Sequence, residues 1–261
     1  MFNERVLSQV LYMQVDVTCI EDVQSLVMGW AQSGESARYV CVSNVHMCME
    51  CFDDDNFCDV INNADLVVPD GKPLVWAQQV LGVSAPQQVR GMDLMLALCE
   101  LAGNRGTSIG LYGGSVEVLQ LLEGTLMQRY PELDIGFSAS PPFRPLNSQE
   151  DAEYIAKIND SGVKILFVGI GCPKQERWMA EHRESLDCVM IGVGAAFDFI
   201  AGKKRHAPKW MQTVGLEWLF RLICEPRRLW LRYLKQNPRF IWYFSKQLLA
   251  NFIRSKSETS R

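Results

Sequence analysis

The chain has 261 residues, 48% hydrophobic and 21% charged, with a formal net charge of -4. These proportions exclude a globally disordered chain, a collagen-like repeat and a small disulfide scaffold, and the length permits a substantial core. The charge is unevenly spread: residues 1–202 sum to -15 and residues 203–261 to +11. Four of the seven Trp (Trp210, Trp218, Trp230, Trp242) share the basic tail. Basic charge interleaved with aromatics suggests an anionic surface, phospholipid or nucleic acid. The acidic body would repel nucleic-acid phosphates, so no nucleic-acid partner is expected.

The opening MFNERVLSQV lacks the basic region and apolar core of a secretory signal. Nine cysteines, an odd number, are scattered along the chain, as expected of free thiols in a reducing cytosol. No apolar run approaches the roughly 20 residues that span a bilayer, so membrane contact is expected to be peripheral. Arg5 to Val17 alternates in polarity and predicts a small β-hairpin. Apolar runs at Tyr39–Ser43, Ala64–Val68, Thr107–Tyr112, Leu133–Ser138, Val163–Gly169 and Cys188–Val193 predict buried strands. Helical spacing recurs between them, over about 45–60, 72–81, 92–103, 115–129, 148–160 and 174–184. Strands alternating with helices predict an α/β fold, a parallel sheet flanked by helices. Gly194–Gly202 reads as a small-residue loop or short helix. From Pro208 the pattern predicts two or three short helices, punctuated by Pro226 and Pro238. The expected division is a core, 1–202, and a helical appendage, 203–261.

Several segments carry residues suited to chemistry. Ser43-Asn44-Val45-His46 ends an early strand, and Asn44 suits a sugar hydroxyl. Cys48, Cys51 and His46 resemble part of a zinc site, but no second ligand pair follows, and helix packing is the expected role. Asp53-Asp54-Asp55 contains the DxD pattern of metal-dependent sugar transferases, yet follows a helical segment and reads as a solvated acidic turn. In Ala64–Gly71 a strand stops at Pro-Asp-Gly. Ligands of open α/β sheets bind beyond the carboxyl ends of the strands. Asp70 there is either a helix cap or a proton acceptor for an attacking hydroxyl; Asp65 reads as a solvated strand-edge charge. Arg90 is a diphosphate contact or a surface charge. Gly110–Ser115 lacks the GxGxxG fingerprint, and Ser115 reads as an N-cap. In Gly169-Ile170-Gly171-Cys172-Pro173-Lys174-Gln175-Glu176, the glycines allow close backbone approach to a phosphate at a helix start. The same pattern also fits a plain strand–helix turn. In the tail, Arg221, Arg228 and Arg232 fall near one helical face, and guanidinium forks suit diphosphates.

Taken together, ADLVVPDGKPLVW, VGIGCPKQE, GVGAAFDFIAGKKRHAPKW and GLEWLFRLICEPRRLWLRY resemble the WecG/TagA/CpsF family of bacterial glycosyltransferases, over roughly Val6 to Tyr243. The resemblance implies a Rossmann-like core with a basic, aromatic-rich helical C-terminal appendage that completes the site and docks on the membrane. It implies an inverting, metal-independent enzyme without a cofactor. The donor would be a UDP-sugar, and the acceptor a polyprenyl-diphosphate-linked saccharide at the inner face of the cell membrane. Asp70 then matches the general base, ionised at neutral pH with a reference pKa of about 3.9. Asn44, Gln175, Gly169 and Gly171 match donor or acceptor contacts, and Arg221, Arg228 and Arg232 would face the departing diphosphate. Val42 stands where the family usually has Thr, and Gln88 where it usually has Arg; Arg90 is the candidate replacement. Two other classes are weighed against this one. The missing GxGxxG counts against a Rossmann-type oxidoreductase or methyltransferase. A non-catalytic membrane adaptor leaves the PDG and PKQE loops unexplained. The apolar tail face has three candidate partners: its own core, lipid, or a second subunit in a homo-oligomer.

Overall fold

The structure, a computed structural model, describes residues 5–34 and 37–259. The expectation of no secretory signal rests partly on residues 1–4, and the end of the basic tail on 260–261; both lie outside the described residues. The chain opens with a hairpin of β1 (Leu7–Val10) and β2 (Met13–Asp16), then α1 (Ile20–Ser33) and β3 (Arg38–Ser43). It continues through α2 (Val45–Asp53), α3 (Asp55–Asn62), β4 (Leu66–Pro69), α4 (Lys72–Val80), α5 (Gly91–Arg105) and β5 (Ile109–Gly113). Next come α6 (Val116–Arg129), β6 (Ile135–Ala139), α7 (Ser148–Asp160), β7 (Ile165–Gly169), α8 (Lys174–Glu181) and β8 (Val189–Gly192). The last elements are α9 (Ala196–Ile200), α10 (Lys209–Thr213), α11 (Glu217–Cys224) and α12 (Pro226–Thr259).

Among the described residues, six strands form one parallel sheet in the order β4-β3-β8-β7-β5-β6. This is the expected α/β, Rossmann-like arrangement. Successive strand residues face opposite sides. Cys41, Val67, Leu166, Val168 and Met190 therefore meet α2, α3, α8 and the hairpin. Val40, Val42, Leu66, Val68, Ile165, Phe167 and Ile191 meet α1, α5, α6 and α9. Burial on both faces explains why the strands read as unbroken apolar runs. Because the strands are parallel, the turns after β3, β4, β5, β7 and β8 all open on one edge of the sheet.

The tail packs back on this core. Phe240 and Phe244 of α12 belong to the apolar cluster under α2. Gln247 accepts from Leu11 N and donates to the Gln9 carbonyl, both at 2.8 Å. Arg239 reaches the Asp53 carboxylate at 2.8 Å.

Four expectations need correction. A helix over 20–33 was not anticipated, although Val23, Val27, Trp30 and Ala31 recur on one buried face and Gly34 closes it in the left-handed region. The segment 45–60 is two helices, because Asp54 is extended and caps α3 through Phe57 N. Pro238 does not end a helix: α12 runs 34 residues through it. Proline removes the bond to residue 234, and Leu234 is 65% exposed, so the interruption falls beside an exposed position of the helix. Asp65 is not solvated. Its carboxylate accepts from Tyr39 N, Arg38 and Arg183, and its side chain is 8% exposed.

Candidate active site

The carboxyl edge of β3 and β4 carries a cleft of about 810 Å³. β4 ends at Pro69, paired with Ser43 of β3, and Asp70 N then donates to the Ser43 carbonyl at 2.8 Å. This pins Asp70 beside Asn44. Residues 88–91 wrap round the same turn. Val89 N donates to the Pro69 carbonyl at 2.9 Å, Gln88 donates to the Asp70 carbonyl, and Gly91 N donates to Asp70 Oδ1 at 3.0 Å. Gly91 allows that approach because a Cβ there would meet Val42 Cγ1 at 3.2 Å. Asp70 does not cap the helix that follows it, since Gly71 is the cap of α4 and has no side chain to offer. Its second carboxyl oxygen has no capping duty.

The tail closes the other side of the cleft. Glu217, Trp218 and Arg221 of α11 line it together with Arg232, Tyr233, Ile241 and Trp242 of α12. A tight turn sets this approach: Gly215 has φ +73°, and a Cβ on it would run into the Trp76 ring of α4. Arg221 stacks its guanidinium 4.7 Å from the Phe199 ring centroid and pairs with Glu217 at 3.0 Å. Burial lifts the Asp70 carboxyl to about 6, opposed by Arg221, the Gly91 N–H and Arg90 and reinforced by Glu217. A carboxyl in that range is a better proton acceptor than a free aspartate and remains largely ionised above neutrality. Burial, with Arg232 nearby, drops the His46 imidazole to about 4. His46 therefore stays neutral beside the cationic side chains.

Asn44, Asp70, Arg221 and Arg232 thus share one cleft. Asn44 caps α2, its side-chain oxygen accepting from His46 N and Met47 N, so only its amide –NH2 is left to face a ligand. Arg90 lies at the border, 3.7 Å from Asp93 and 3.9 Å from Glu217. Arg228 stands apart, paired with Glu225 at 2.6 Å, and lines neither cleft described here.

Gly169, Gly171 and Gln175 sit at the end of β7. That is three strand positions from β4, about 14 Å at ordinary spacing. Gly169 borders a second cleft of about 500 Å³, which also holds Tyr112, Phe143, Lys174 and Trp178. Gln175 is only 3% exposed. It accepts from Gly171 N at 3.2 Å and donates to Glu176 at 2.6 Å, and a Cβ on Gly192 would strike its amide. It is a strut beneath two glycine turns. Burial pushes the Glu176 carboxyl up to about 7. The helix-packing role expected of Cys48 and Cys51 is observed, both being fully buried.

Sequence reasoning did not single out Lys72, Trp76, Glu217 or Tyr233 as cleft residues. Lys72 and Trp76 follow Asp70 within PDGKPLVW, and Glu217 lies within GLEW, so the motifs that drew attention already contained them.

Comparison with known proteins adds a separate line. The sequence model of the glycosyl transferase WecG/TagA/CpsF family matches residues 8–253. Two relatives from Staphylococcus aureus, strains NCTC 8325 / PS 47 and COL, are each named N-acetylglucosaminyldiphosphoundecaprenol N-acetyl-beta-D-mannosaminyltransferase. Each is 26% identical over 232 residues, covering 88% of this chain and 89% of its own length.

Proposed function

The chain belongs to the WecG/TagA/CpsF family of glycosyltransferases, and on that premise we propose that it transfers a hexose-type sugar from a UDP-sugar to a polyprenyl-diphosphate-linked saccharide, with inversion and without a metal. The observation that carries this reading is the shared cleft. It holds a buried carboxyl, Asp70, opposite guanidinium groups from the tail, Arg221 and Arg232.

Asp70 takes the proton of the acceptor hydroxyl as its oxygen bonds to the anomeric carbon. The bond from that carbon to the diphosphate breaks, and its electron pair leaves with UDP. Arg221, Arg232 and Arg90 offset the charge that grows on the leaving diphosphate. Each charge-assisted contact contributes about 1.5–3 kcal/mol. Asn44 donates its amide –NH2 to a sugar hydroxyl. The Gly169–Gly171 turn, three strand positions away, lies outside this cleft and takes no part in the step, and Gln175 braces that turn through Gly171 N.

The apolar wall of the cleft, with Trp76, Ile241, Trp242 and Phe244, suits the first isoprene units of a lipid carrier. Among the described residues, no helix is long and apolar enough to cross a membrane. Exposed Leu234, Ile241, Leu249 and Phe252 recur along α12 beside basic residues. That pattern supports docking on the anionic inner face of the cell membrane. In this reading residues 1–202 are the catalytic core and residues 203–261 the membrane-facing appendage.

The experiment is a panel of UDP-sugars offered with polyprenyl-diphosphate-linked N-acetylglucosamine, with products read by mass spectrometry. One added hexose-type residue on the lipid-linked acceptor is expected from at least one donor. Tight binding of a nicotinamide or S-adenosyl cofactor, with no transfer from any UDP-sugar, would overturn the proposal.

A further inference from the structure

Glu217, the first residue of α11, has no role in the chemistry above. One carboxyl oxygen, Oε1, lies 3.0 Å from Arg221 Nη2, and the other, Oε2, lies 3.9 Å from Arg90 Nε. It therefore stands between a guanidinium of the tail and a guanidinium of the core. These are the two arginines whose charge acts on Asp70, and Glu217 lines the same cleft. The Nε of Arg90 and the Nε of Arg221 are both buried without a hydrogen-bond acceptor. Buried donors left unpaired are costly; Arg221 also rests on the Phe199 ring and Arg90 lies 3.7 Å from Asp93. Glu217 is the carboxylate that reaches both.

We propose that Glu217 is a positioning residue for sugar transfer: it holds the guanidinium groups of Arg90 and Arg221, one from the core and one from the tail, at the Asp70 cleft. The inference rests on Asp70 being the proton acceptor.

The geometry has an electrostatic consequence. Groups that line the cleft round Asp70 or act on it are Lys72 on α4, His46 on α2, Arg90 before α5, Glu217 and Arg221 on α11, and Arg232 and Tyr233 on α12, with Asp93 of α5 3.7 Å from Arg90. Most of these that carry charge are cationic. Unopposed, they would favour the Asp70 carboxylate and weaken it as a base. Glu217 opposes them from a position fixed by its two ion pairs. Replacing it with Gln has two opposed effects: loss of its charge makes Asp70 ionise more readily, while withdrawal of Arg221 and Arg90, of which Arg221 acts more strongly on Asp70 than Glu217 does, makes it ionise less readily.

The test compares pH profiles of kcat/KM for the parent, Glu217→Gln, Glu217→Asp and Asp70→Asn. In Glu217→Gln the plateau is expected to fall about 10- to 100-fold, as for a misplaced catalytic contact, and the acidic limb to move to higher pH as the arginines leave Asp70. Glu217→Asp keeps the charge and is expected to hold the limb near the parent's. Parent-like kcat/KM in Glu217→Gln overturns the proposal. So does a reduced plateau with a limb that stays or moves to lower pH, because a merely structural role leaves the titration unmoved and charge loss with the arginines still in place lowers it. A fully active Asp70→Asn sinks the reading of Asp70 beneath it. With Asp70→Asn inactive, a limb in Glu217→Gln that stays or moves to lower pH sinks Glu217 alone.

Discussion

In the proposed mechanism Asp70 combines a stability penalty with a chemical use. Its carboxyl titrates near 6 in the fold because burial disfavours the charge, against about 3.9 in an unfolded chain. Between those values the folded state binds more protons than the unfolded one, so stability falls as pH rises from about 4 to 6 and the penalty is complete above that. Asp70→Asn is therefore expected to stabilise the protein at pH 7.5, by on the order of 2–3 kcal/mol at most, in denaturant titration; a destabilised variant would contradict the burial account. For the parent, kcat/KM is expected to decline as pH drops through about 6, where Asp70 takes up its proton. A flat profile from pH 5 to 8 would show that no such group is needed. The sequence made this residue legible because Pro-Asp-Gly stops a strand where α/β sheets bind ligands. It could not reveal whether Asp70 caps or reacts, since that depends on Gly91 N and on α11, which are distant in sequence. Asp65 was misread for the same reason: its partners Arg38 and Arg183 come from other elements.

Elements joined by short-range pattern were read well, and those fixed by long-range packing were not. All six sheet strands were foreseen, with ends within two residues of those observed, because apolar runs between turns encode burial on both faces. α1 was passed over, and the length of α12 was missed because proline signals a break locally while α12 carries Pro238 within it. A demanding local geometry is the turn into α11. Gly215 combines a left-handed backbone with direct contact on Trp76. Gly215→Ala should cost about 1–3 kcal/mol through strain and, by displacing Arg221 from the cleft, lower kcat at least 10-fold. Steady-state kinetics with circular dichroism checks this. A folded variant with unchanged kcat would show that the α11 approach does not matter.

Over the whole molecule, an acidic body and a basic, aromatic tail meet at one cleft. The tail is not a loose extension. Phe240 and Phe244 complete the core beneath α2, and Gln247 joins the hairpin. Deleting it would strip a core face, so the proposed membrane contact is better tested by point changes on exposed positions. Leu234→Glu combined with Leu249→Glu, at sites 65% and 61% exposed, should reduce sedimentation with phosphatidylglycerol vesicles at least 10-fold while leaving thermal stability near the parent's. Unaltered sedimentation would remove α12 from the membrane contact. The charge split that suggested such a surface was visible in composition alone. That the tail also walls the reaction site was implied only by the family resemblance, because it depends on how α11 and α12 fold back. The most direct measurement is the single-turnover rate of Asp70→Asn with a UDP-sugar and a polyprenyl-diphosphate-linked acceptor, beside its affinity for UDP. The account predicts a rate at least about 100-fold below the parent's with UDP affinity retained; transfer within a few-fold of the parent would contradict it.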